Sequence, residues 1–215
     1  MPQEMNAGTK ESADFLTYVR PFLEEETPLS CEKFCKVSLK QVKLDQIDLR
    51  RSTFTDCTFS SCSLAQASFT DVTFAHCDFS NSILTDAFFD KCCFLSCRCI
   101  GTNFGGSVFK HFSADDSIFQ YACLDRSRMT DIHFTHCDFT EASAAESVLR
   151  RLTAKDCQFL HNNFFHTPLS GIDFSEGEFT SPIVSSPPSE LKGITVNLIQ
   201  AAGLAGLLGI HVKIS

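Results

Sequence analysis

The stretch STFTDCTFSSCSLAQASFTDVTFAHCDF, residues 52–79, repeats one arrangement every five residues. Phe54, Phe59, Leu64, Phe69, Phe74 and Phe79 recur on that period, and two positions before most of them stands a small residue: Ser52, Cys57, Cys62, Ala67 or Cys77. Working outward in both directions, the large apolar residue keeps its register from Phe34 to Phe179, interrupted at Cys99, Ala114, Ala144 and Ala154. A period of five matches neither the 3.6 of a helix nor the 2 of a flat strand, so the chain must turn a corner every five residues and bury the same slot each time. That is the signature of a solenoid.

The other three positions of each unit are mostly Asp, Asn, Ser, Thr, Arg, Lys, His or Gln. This [Ala/Ser/Cys]-x-[Phe/Leu]-x-x pattern resembles the pentapeptide-repeat family. The resemblance implies an all-β solenoid, a right-handed quadrilateral β-helix with four units per square coil, in which residues twenty apart stack about 4.8 Å from one another. The chain then divides into an N-terminal cap segment (1–28), the β-helix (29–184), and a linker with a C-terminal dimerisation helix (185–215). Nothing in Met1–Thr9 has the basic and apolar pattern of a secretion signal, which points to a cytoplasmic protein.

Ser12 to Arg20 reads as a short amphipathic helix using Phe15, Leu16 and Val19, ended by Pro21, and its expected role is to cover the first coil. At the other end, Asn197 is an N-cap for a helix from Leu198 to about Leu208 with Gly209 as its stop, and Ile210–Ile214 alternates like a strand. The apolar run Leu198–Val212 is too short to span a bilayer comfortably, so no membrane association is expected.

The twelve Cys suggest disulfides or metal at first sight, yet Cys57, Cys77, Cys97, Cys137 and Cys157 share one column of the stack, with Ser117 in the missing rung. Fillers of the small inward slot account for this placement; a disulfide framework spaces its Cys by loops instead. The seven His fall in different columns or distant rungs and do not converge, which suits solvated side chains and no metal site. There is no phosphate-binding glycine loop, metal-binding helix or nucleophile motif, so neither an enzyme nor a cofactor is expected.

The chain has 26 acidic and 18 basic residues, a net charge of -8. That balance argues against direct nucleic-acid binding. Stacking the sequence in rows of twenty sorts the charge by side. One corner column reads Asp56, His76, Ser96, Asp116, His136, Asp156, Glu176, and its neighbour reads Thr58, Asp78, Arg98, Ile118, Asp138, Gln158, Glu178. The candidate partner-binding stripe is thus Asp56, Asp78, Asp116, Asp138, Asp156, Glu176 and Glu178. Another face carries Arg50, Arg51, Lys91, Lys110, Arg128, Arg150 and Arg151, diluted by Asp48, Asp71, Asp90 and Asp131. A surface kept soluble by its charge accounts for such sorting as well as a binding stripe does.

The C-terminal segment, Gly193-Ile-Thr-Val-Asn-Leu-Ile-Gln200-Ala201 followed by Leu204 and Leu208-Gly209-Ile210, resembles the C-terminal helix of the Qnr-type quinolone-resistance members of the family. That resemblance implies a homodimer joined end to end through Leu198, Ile199, Ala202, Leu204, Ala205, Leu207, Leu208 and Ile210. It further implies a rod that mimics duplex DNA and binds DNA gyrase or a related type II topoisomerase. Eight net charges over roughly eight coils give one charge per about 5 Å, against one per about 1.7 Å for duplex DNA, so the copy is electrostatically weak. The unbroken register leaves no room for the coil-interrupting loops of many Qnr-type members and is more similar to the mycobacterial and albicidin-resistance members. A structural or adaptor rod that binds another protein is the competing reading.

Overall fold

In the computed structural model, which describes residues 12–213, the five-residue period becomes a square coil. Phe34 pairs in parallel with Phe54 and Phe54 with Phe74, and the same twenty-residue step links Leu49, Phe69, Phe89 and Phe109 on the next face. The result is a β-solenoid of about eight turns. Its axis is filled by columns of rings: Phe69, Phe89 and Phe109 stack with centroids 4.8 and 4.7 Å apart, and Phe119, Phe139 and Phe159 at 4.9 and 5.0 Å. Each buried Phe or Leu contributes about 1.5 to 3 kcal/mol.

The corners explain the third polar position of each unit. Residues on the 51, 56, 61 series adopt left-handed backbone, with φ between 47° and 64° at 28 non-glycine residues among those described. Such a conformation costs about 1–2 kcal/mol per residue. It is offset by the ladder, in which the corner N–H donates to the next coil, as from Asp56 to the Ala75 carbonyl and from Asp116 to that of Thr135.

The small slot is less uniform than the repeat predicts. Phe112 and Leu152 occupy it where Ala114 and Ala154 stand in the large slot two residues on, so the bulk is exchanged within the unit. In these coils two short strands fuse into Val108–Asp115, Arg128–Thr135 and Val148–Lys155, joining two faces of the square into one sheet.

After this point the ladder opens on one side. Among the described residues no hydrogen bond joins 148–156 to 168–176; contact resumes where the Glu178 N–H donates to the Cys157 carbonyl. Pro168 supplies a reason, since it lacks the N–H that at Arg128 and Val148 binds the preceding coil. Gly177 closes the opening, because a Cβ there would lie 2.1 Å from the Cys157 carbonyl oxygen. Behind the opening the core is loose. A cavity of about 30 Å³ is lined in part by Leu149, Leu152, Leu169, Ile172 and Asn162, whose Oδ1 is buried without a partner.

Residues 185–196 stay docked on the rod rather than leaving it as a free linker. The Leu169 N–H donates to the Glu190 carbonyl, that of Gly171 to Gly193 and that of Phe174 to Thr195. Glu190 is buried, and its carboxylate accepts from the His166 and Ser185 N–H groups and from the Ser185 hydroxyl. Burial pushes its carboxyl up, but the hydrogen bonds from its own backbone, Ser185 and His166 outweigh this and hold it below the usual range.

Helices close both ends. Helix α1 (Ser12–Glu24) buries Phe15 and Val19 on the first coil, with the Phe15 ring edge-on to Phe34 at 5.0 Å. Pro21 lies inside α1 instead of ending it, and the next turn forms as the Glu25 N–H reaches the Pro21 carbonyl. The Tyr18 hydroxyl donates to Glu32, and this bond, with burial and the neighbouring charge, pushes the phenol up to about 12. Met1–Thr9 and Ile214 lie outside the described residues.

Helix α2 (Leu198–Ala205) starts with Asn197 and Gln200 capping each other's backbone N–H groups. A 3₁₀ turn (Gly206–Leu208) and a left-handed Gly209 end it, as expected. Residues 210–213 form no strand with any described segment.

Candidate partner-binding surface

The register of the coils turns the acidic residues into columns. Asp78, Arg98, Ile118, Asp138 and Gln158 bridge one to the next, and Gln158 pairs with Glu178. Asp56, Asp116 and Asp156 occupy left-handed corners beside this column, which turns their side chains outward. Glu176 and Glu178 are exposed where the coil re-docks.

The seven predicted residues do not form one continuous stripe. Asp56 and Asp78 are separated from the rest by a rung carrying Leu95, Ser96 and Arg98. Asp78 and Asp138 are half-buried and cap backbone: Asp78 accepts from the Ser80 N–H at 2.8 Å and Asp138 from that of Thr140 at 2.8 Å. Their carboxylates are partly committed to the fold.

The second half of the rod holds the denser patch. Asp115, Asp116, Asp138, Asp156, Glu176 and Glu178 lie there, with His136 between Asp115 at 3.2 Å and Asp156 at 3.8 Å. Asp115 does not figure in the sequence-derived stripe because its column, just before the corner, is otherwise mostly uncharged; reading all three polar columns of that face together finds it.

The opposite charge is less available. Arg50 pairs with Asp48 at 2.7 Å, and Arg151 holds Asp131 through two hydrogen bonds. The bond from Arg151 keeps the Asp131 carboxyl below its ordinary range. His111 lies 2.9 Å from Asp90 and 3.7 Å from Asp131, so opposite charges alternate on this part of the face. Two His expected to be merely solvated, His111 and His136, are thus paired with carboxylates while remaining exposed.

The inward cysteines pack as their column predicts. The thiols of Cys77, Cys97 and Cys137 sit 3.3 to 3.5 Å from carbonyls of the preceding coil. Burial pushes the Cys92 thiol up to about 12. Cys31, Cys35, Cys93 and Cys123 stand in polar positions and are more accessible.

The sequence-predicted dimer residues separate into two sets. Leu198, Ile199, Leu207, Leu208 and Ile210 are exposed, the first two at 85% and 84%. Ala202 and Ala205 are half-buried. Leu204 turns the other way and packs against the core, because α2 is pinned by Gln200, whose buried amide donates to the Phe174 and Gly177 carbonyls. Leu204 therefore holds α2 on the rod and is not part of the outward face.

Among the described residues no helix is long and apolar enough to cross a membrane. A family model described as pentapeptide repeats (9 copies) matches residues 39–83, and a second, pentapeptide repeats (8 copies), matches 92–131. Over these two spans the chain is built of pentapeptide repeats. No curated protein matches this chain by sequence. Among solved structures, a trypsin-treated variant of QnrB1, a plasmid-mediated fluoroquinolone resistance protein, is 21% identical with a TM-score of 0.46, covering 83% of this chain and 99% of that one. HetL, a pentapeptide-repeat protein involved in heterocyst differentiation regulation in the cyanobacterium Nostoc sp. strain PCC 7120, is 15% identical with a TM-score of 0.33, covering 87% and 97%. A pentapeptide-repeat protein of the Arabidopsis thaliana thylakoid lumen is 18% identical with a TM-score of 0.22, covering 70% and 87%.

Proposed function

We propose that this chain is a pentapeptide-repeat protein, a non-catalytic, cytoplasmic DNA mimic that binds DNA gyrase or a related type II topoisomerase and modulates it or protects it from an inhibitor. The observation that supports the reading is the concentration of carboxylates on one side of the second half of the rod. Six carboxylates less Lys155 leave five charges over four rungs, about 19 Å, or one per about 4 Å. This is denser than the chain average of one per about 5 Å and closer to the one per 1.7 Å of duplex DNA. The patch adjoins the end that exposes Leu198, Ile199, Leu207 and Leu208, so a homodimer formed through α2 carries two such patches in succession. A single rod is short against a duplex-binding saddle, and the doubled length supplies the missing contact.

The test is a supercoiling assay with purified gyrase and the protein titrated in, with and without a gyrase poison. Inhibition or relief of poisoning at micromolar protein is expected. No effect at tens of micromolar, with the dimer verified in the same sample, contradicts the reading.

A further inference from the structure

The opened side of the ladder leaves a strand edge inside a groove. In closed coils, the N–H of each corner residue donates to the coil above, as from Arg51 to Thr70 and from Asp56 to Ala75. The carbonyl at the following inward slot accepts from it, as at Ser52 from Thr73 and at Cys92 from Ser113. By the same register the N–H groups of Arg151 and Asp156 and the carbonyls of Ser147 and Leu152 face the coil at 168–176, and none of them has a partner there. Backbone groups left this way template an added strand. Beside this edge runs a groove of about 240 Å³, lined on the strand side by Leu152, Thr153, Ala154 and Lys155 and opposite by Gly171, Asp173 and Glu176. Leu152 offers apolar surface within it, since its side chain is only partly buried.

The same molecule carries a segment with the complementary deficit. Ile210-His211-Val212-Lys213 alternates apolar and polar residues, pairs with no described strand, and leaves Ile210 and Val212 54% and 50% exposed. Left-handed Gly209 turns it away from α2. Lys213 suits the acidic lip formed by Asp173 and Glu176.

We propose that the open edge of the Val148–Lys155 strand receives the segment from Ile210 onward of a second copy of this chain as an added strand. The groove lies about two rungs, roughly 10 Å, in from the last coil. Six residues, 210–215, reach up to about 20 Å when extended. A second copy is the occupant because the same end exposes Leu198, Ile199, Leu207 and Leu208, an apolar face that the α2 of a second copy would cover. The proposal rests on pairing through α2 and goes beyond it: the tails cross and each fills the ladder gap of the other.

Amide hydrogen exchange tests it, on the full chain at two concentrations and on a chain ending at Gly209, which keeps α2 whole, with the oligomeric state of each sample measured by sedimentation. The Arg151 and Asp156 amides are expected to exchange at least about tenfold more slowly in the dimeric full chain. That protection should be lost on dilution to monomer and on truncation, and restored by adding the peptide GIHVKIS to the truncated chain. A truncated chain that stays dimeric with these amides exposed supports the tail exchange and leaves pairing through α2 standing. Equal protection with and without the tail overturns the exchange, as does rapid exchange in a full chain shown to be dimeric. A full chain that is monomeric at every concentration refutes pairing through α2, and with it the second copy; protected amides in that monomer assign the groove to the chain's own tail.

Discussion

The coils before Ser147 and those around Pro168 are built from the same repeat, yet the first set is closed all round and the second opens on one side, between 148–156 and 168–176. In the closed coils each left-handed corner N–H finds a carbonyl one rung on, and stacked rings fill the axis at about one strand spacing. In the last coils one proline removes a rung, Gly177 restores contact, and a buried carboxylate at Glu190 replaces backbone acceptors. A solenoid thus tolerates a local opening provided the lost hydrogen bonds are taken up by solvent, side chains or another chain.

The comparison is sharpest when both sets are stripped of an equivalent apolar side chain. Leu84→Ala, in the closed region, is expected to cost about 2–5 kcal/mol, whereas Leu152→Ala, beside the groove, costs less than half as much because its side chain is already partly solvated. Urea unfolding of the two variants measures this, and equal losses would mean the opening does not relax the core.

Glycines give the next contrast. Gly177→Ala forces the Cys157 backbone to move and is expected to destabilise by about 2 kcal/mol or more, measured by thermal unfolding. Gly203→Ala in α2 meets no atom within 4 Å and should stabilise by up to about 1 kcal/mol.

Glu190→Gln weakens the bonds that replace the ladder and is expected to cost about 1–3 kcal/mol. Its depressed carboxyl also fixes the sign of a pH effect. The stability it contributes is fully present above the ordinary carboxylate value of about 4.3 and is lost as pH falls through the lower folded value. Stability of the wild type and the Gln variant should therefore converge at acid pH. Asn197→Ala is expected to cost about 0.5–2 kcal/mol, confined to fraying of α2 and visible in amide exchange of that helix.

Much of this was legible in the sequence because a solenoid maps position directly onto place. The period of five gives the coil, the rows of twenty give the columns, and Asn197 with Gln200 and Gly209 gives the helix ends. What escaped depends on orientations the period does not encode. Leu204 faces inward because Gln200 is anchored to carbonyls of the last coil, which no pattern within α2 reveals. Asp78 and Asp138 belong to acidic columns, yet each binds the N–H two residues on, a local choice made by the turn. Pro21 fits within α1 since the helix needs only one more turn after it. The exchange of bulk between Phe112 and Ala114 was visible as a break in the small slot, and Pro168 as a missing donor, but the opening they precede follows from how three coils stack.

If the acidic patch occupies the duplex-binding surface of gyrase, the protein and duplex DNA must compete for the enzyme. Binding of the labelled protein to purified gyrase is measured while unlabelled duplex DNA is titrated in, alongside a variant in which Asp116, Asp156, Glu176 and Glu178 are changed to Lys. Asp138 is left intact because it caps Thr140. Mutually exclusive binding of protein and duplex, abolished in the folded variant, is the predicted result. Simultaneous binding of both to gyrase, or undiminished binding of the variant, would contradict it.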